Sequence, residues 1–164
     1  MSIDQSYGHG VVVAELTAPD GSLKQRVETR NIITSTGDQM YISRGAGLST
    51  VAAPTGMKLG SGTTATAKTG AGAALITYIS GSNKAFDATY PTNSTNSVTY
   101  KRTYAAGEAT NSSIAEVVIV NEPIGTDATS AAGATISRAL FGAPINKAAG
   151  DSLAVTWTHT FTGA

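Results

Sequence analysis

Apolar and polar positions alternate with period two along most of the chain, which places successive side chains on opposite faces of a strand. The pattern is clearest from Leu153 to Phe161. There the odd positions read Leu, Val, Trp, His, Phe, while the even positions read Ala and then four Thr. One face is bulky and apolar, the other a threonine ladder, and the β-branched residues favour the pleated form. From Leu23 to Arg30, Lys24, Arg26, Glu28 and Arg30 share one face, and Leu23 and Val27 lie on the other. This segment follows Val11–Thr17 across Pro19-Asp20-Gly21-Ser22, where Pro presets φ and Gly supplies a positive φ, so the two read as a β-hairpin. Val98–Tyr104 alternates again. Ile114–Val120 is almost continuously apolar, as expected of a strand covered on both faces. Lys84–Tyr90, Thr135–Phe141, Met57–Gly60 and Leu75–Ile79 complete the set.

One helix is expected near residues 36–44. Thr36-Gly37-Asp38-Gln39 has capping-box spacing, and Gly45 is placed to end the helix in a left-handed cap. The stretches 61–74 and 121–133 are long, charge-poor and rich in Gly, Thr and Ala, and read as functional or mobile connectors. About eight strands and one helix imply an all-β fold. The expected architecture is a two-sheet β-sandwich of jelly-roll or immunoglobulin-like order. Residues 1–10 form an N-terminal arm ahead of a single domain, residues 11–164.

Composition narrows the function. The 164 residues are 13 % charged, with Lys plus Arg equal to Asp plus Glu, and Ala, Thr and Gly supply about two-fifths of the chain. A net charge of zero gives no electrostatic footprint for nucleic acid. The absence of Cys removes disulfides, thiolate nucleophiles and Cys-built zinc sites. The N-terminus lacks a secretory pattern, and no apolar run reaches the ~20 residues of a membrane span. The expectation is therefore a protein made in a cytoplasm, with neither membrane nor nucleic acid as partner.

Candidate chemistry is sparse. His159 sits on the apolar face of the last strand and reads as a packed histidine beside Trp157 or Phe161. His9, in Gly8-His9-Gly10, reads as a surface or interface residue. Glu116 interrupts an apolar strand and needs Arg102, Arg138 or backbone donors, because a buried unpaired carboxylate is costly. Gly60-Ser61-Gly62 and Gly70-Ala71-Gly72 lack the spacing of a phosphate loop and read as flexible connectors. No catalytic, metal or cofactor site is expected, and the chain reads as a non-enzyme. Ile3, Tyr7 and His9 are candidate assembly contacts, because an arm that carries apolar anchors suits docking on a neighbouring subunit.

Five stretches carry a family resemblance. They are Asn31-Ile-Ile-Thr-Ser-Thr-Gly37, Met57-Lys-Leu-Gly-Ser-Gly-Thr-Thr64, Ser113-Ile-Ala-Glu-Val-Val-Ile119, Arg138-Ala-Leu-Phe141, and the run from Pro144 through Asn146-Lys147, Gly150-Asp151 and Val155-Thr-Trp-Thr158. In this order they resemble small tailed-bacteriophage virion proteins over most of residues 30–162, with a longer polar insertion from Lys84 to Ser97. The resemblance implies a virion structural part that ends in a C-terminal hairpin. It implies a capsid decoration (cement) protein, partnered by the major capsid protein, neighbouring virion subunits and its own copies, as a homotrimer. The alternative it implies is a tail or tail-fibre component with a host-glycan site. No catalytic residue comes with it.

Overall fold

The computed structural model describes residues 8–161. The strands are β1 (His9–Thr17), β2 (Leu23–Ile33), β3 (Gly56–Gly60), β4 (Lys84–Ala85), β5 (Thr92–Asn93), β6 (Ser97–Tyr104), β7 (Asn111–Val120), β8 (Thr135–Lys147) and β9 (Ser152–Thr160), with one α-helix, α1 (Ser35–Gly45). The fold is mostly β with a single α-helix among the described residues, as the periodicity implies. In place of two separate sheets, the nine strands form one curled antiparallel sheet in the order β4-β3-β7-β8-β2-β1-β9-β6-β5.

The curl turns on a short seam. β2 and β8 pair only through Asn31–Ile33 and Ser137–Ala139, and the β7–β8 ladder is broken by register shifts that let β8 bend. Strands on either side of the seam face each other across one core. Val12, Leu16, Val155, Trp157, Tyr100 and Tyr104 from one half meet Met57, Leu59, Val117, Ile119, Phe141 and Ile145 from the other. The β1–β2 hairpin forms as expected, with Gly21 at φ 86° in its turn. In β9 the odd positions are buried and the Thr face is half-exposed.

Several expectations are corrected. β9 pairs with β1 and β6, so it forms no hairpin with β8. The strand expected over Lys84–Tyr90 ends at Ala85, because the Asp87 carboxylate is drawn to β6, where it accepts from the Thr103 amide and hydroxyl. Leu75–Ile79 makes only isolated bridges, since the Ile76 and Thr77 amides donate to Glu116 instead of to a ladder. The N-cap of α1 is Thr34, whose hydroxyl accepts from the Gly37 amide at 3.0 Å, while the Thr36 hydroxyl donates to Ala132. The left-handed residue after the helix is Gly47, not Gly45.

Candidate functional site

Two buried polar clusters lie on this frame. The first gathers side chains from five elements around His159, which is fully buried at the end of β9. Tyr41 of α1 meets its Nδ1 at 2.6 Å, and the Tyr41 and Tyr100 hydroxyls are 2.9 Å apart. Ser137 of β8 lies 3.2 Å from Nε2, donates its own proton to the Ile32 carbonyl, and accepts from the Asn31 amide. The Asn31 side-chain amide also lies 3.3 Å from Nε2, so both ring nitrogens have hydrogen-bond partners, Tyr41 at Nδ1 and Asn31 with Ser137 at Nε2. Edge-on contacts with Tyr41, Tyr100 and Trp157 pack the imidazole. Burial pushes the His159 pKa down to about 3, so the ring is neutral, and burial raises the Tyr41 and Tyr100 hydroxyls.

A serine beside a histidine invites comparison with a nucleophile–base pair. Ser137 does not behave as one. It is fully buried, and its proton is committed to a backbone carbonyl.

The second cluster lies on the outer face of β7 and β8. Glu116 and Arg138, both wholly buried, form an ion pair at 2.7 and 3.0 Å. Of the partners that the sequence offers for Glu116, the fold uses Arg138 and backbone amides together. Gly62, Ile76 and Thr77 donate to the carboxylate, and Arg138 donates to the Thr64 and Gly72 carbonyls. The stretch read as a mobile connector is therefore wrapped around a buried charge pair. A Cβ on Gly60 or Gly62 would come within 2.5 Å of Glu116 Oε1, which explains glycine at both positions. Lys58, opposite Val118 in the β3–β7 ladder, is buried in the same layer. It donates to Glu122 at 2.6 Å and to the Ala128 carbonyl, tying down the second long connector.

Two open concavities flank the histidine cluster. One, of about 640 Å³, lies between Tyr41, Arg44 and Phe161 and the turn from Asn93 to Val98. The other, of about 420 Å³, is lined by His9, Asn31, Ile33 and Lys68. His9 opens β1 opposite Thr160 with an exposed side chain, so the strand takes in the last two residues of the expected arm. Ile3 and Tyr7 lie outside the described residues, and among the described residues no polar cluster forms around His9. Among the described residues no group of three or more His, Cys, Asp or Glu is placed to hold a metal ion, and no helix is long and apolar enough to cross a membrane.

Sequence reasoning found His159 and Glu116 individually but missed Tyr41, Ser137 and Asn31 as partners of the histidine. Asn31 and Ser137 are separated by 106 positions, and no local pattern links residues so distant. Compared with known proteins, the chain matches no family model, no curated protein and no solved structure.

Proposed function

We propose that this chain is a bacteriophage virion structural protein without catalytic activity. In this reading it is a capsid decoration (cement) protein that stabilises the shell through contacts with the major capsid protein and with its own copies, as a trimer. The two halves of the curled sheet then serve as the two layers of a sandwich. One observation carries the reading: the residues of the virion-protein resemblance perform scaffold tasks here. Thr34 caps α1, Gly60 and Gly62 make room for Glu116, and Arg138 pairs with it. Lys147 is buried and donates to the Ala105 carbonyl, while Asp151 binds Lys24 and the Ala148 amide. A pattern spent on the frame leaves the surface free for assembly. That surface bears exposed Ile42 on α1, Leu48 just after it and Ile124 on a connector.

The test is copy number. On purified particles, a stained gel should show this chain in stoichiometric ratio to the major capsid protein, and light scattering should give a trimer in solution. A handful of copies per particle would reassign it to the tail or fibre, and absence from particles would overturn the reading.

A further inference from the structure

Helix α1 is attached unequally at its two ends. Its N-terminus is pinned to the frame. The Thr34 amide donates to Ile136 and its hydroxyl to Thr135, the Ser35 amide donates to Lys68, and the Thr36 hydroxyl to Ala132. Gly37 packs so closely on the Ile136 carbonyl that no Cβ fits. The C-terminal half has far less hold. Ile42 is 73 % exposed and Leu48 57 %, and the Ser43 hydroxyl is spent on Met40 within the helix. This half is held to the sheet by the packing of Met40, by the Tyr41 ring against Phe161 and His159, and by the polar link from the Tyr41 hydroxyl to His159 and Tyr100.

We propose that Tyr41 and His159 form an acid-released clasp, in which protonation of the imidazole frees residues 41–50 of the helix end and its following turn while the helix N-terminus stays pinned. Among the described residues the groups facing His159 are Tyr41 from α1, Tyr100 from β6, Trp157 on β9, Ser137 from β8 and Asn31 from β2. None of these is a carboxylate, so an imidazolium among them is a buried cation without a counter-charge from the described residues. A second ring proton also removes the ring's one acceptor: both nitrogens become donors, facing the Tyr41 hydroxyl at Nδ1 and the Asn31 amide and Ser137 hydroxyl at Nε2. Opening at Tyr41 admits water to the ring and relieves both costs. The freed segment carries Ile42 and Leu48 and one wall of the 640 Å³ concavity, so acid remodels an exposed apolar part of this surface.

The open form holds His159 at its ordinary pKa of 6.5, while the closed form holds it neutral. Linkage then requires the opening constant to rise tenfold per pH unit below about 6.5, or about 100-fold by pH 4.5. Amide hydrogen exchange on the whole chain reads this directly, with His9→Asn as background so that His159 is the sole histidine. After correction for intrinsic rates, amides of residues 41–50 should lose protection with that slope while those of β1 and β9 stay protected. His159→Gln should abolish the slope. Tyr41→Phe should raise exchange of the same amides about fivefold at neutral pH, the worth of one hydrogen bond. Should the glutamine variant not fold, the slope in the His9→Asn background and the Tyr41→Phe baseline decide. Flat protection down to pH 4.5, loss only together with β1 and β9, a slope retained in His159→Gln, or an unchanged Tyr41→Phe baseline would each overturn the clasp.

Discussion

The two buried clusters solve one problem in opposite ways. On the outer face of β7 and β8, charge is admitted and matched: Glu116 receives a guanidinium and three amides, and Arg138 Nη1 donates to two carbonyls. Around His159 charge is refused, and a neutral ring is held by hydroxyls and a side-chain amide. The ionic cluster fastens a long connector at several points. The neutral one reaches a helix end through one residue, the ring and hydroxyl of Tyr41. A protein that puts its matched charges under a loop and its unmatched histidine under a helix end has made the first permanent and the second conditional on pH.

Breaking the ionic side should have the largest effect. Glu116→Gln or Arg138→Met leaves an uncompensated buried group, with an expected loss of about 3–5 kcal/mol in urea unfolding. Amides 62–77 should lose protection first. The double variant Glu116→Leu with Arg138→Met should recover much of that loss, because it removes both charges together. A loss below about 1 kcal/mol in either single variant would mean that the pair carries no such burden.

The neutral side is tested by acid. The folded His159 pKa, about 3, lies below its ordinary 6.5, so the unfolded chain binds the extra proton between those values. Its contribution to stability is complete above pH 6.5 and declines as pH falls toward 3. From pH 6.5 to 4.5 the expected loss is about 2–3 kcal/mol. The lowered carboxyls of Asp151 and Glu108 act below that window, since their ordinary values are 3.8 and 4.5. Urea midpoints across the series should fall for the unmodified chain and stay level for His159→Gln.

Two smaller substitutions sharpen the contrast between pinned and open regions. Thr34→Ala should cost about 1–2 kcal/mol in thermal unfolding, as loss of a helix cap. Thr36→Ala should cost less, since its hydroxyl caps nothing in α1. On the half-exposed ladder, Thr156→Val should stay within about 0.5 kcal/mol of the parent. A larger penalty there would show that the open face contributes to the fold and not only to the surface.

Much of the frame was legible because period-two alternation is local. The buried stripe of β9, the β1–β2 turn and the double-sided burial of β7 each follow from neighbouring residues. The errors were also local in origin. Thr36 and Gln39 offered a cap in sequence, but the tertiary fold offered Thr34 two carbonyls on β8, which moved the helix start. Leu75–Ile79 had strand composition and lost its ladder because a distant carboxylate took its amides.

The site shows the same division. Glu116 announced from sequence that it needed a partner, since an acid in an apolar strand cannot stay unpaired at low dielectric. Which partner, and that Gly60 and Gly62 exist to admit it, depended on loops brought over β7 only by folding. His159 announced a packed imidazole. The refusal of its second proton arises from partners on α1, β2, β6 and β8, which one sheet curling through a three-residue seam brings together. Alternation decides which face of a strand is buried because it acts between adjacent residues. Hydrogen-bond partners and proton affinity were decided by the tertiary structure, because both depend on groups that meet only after the chain has closed on itself.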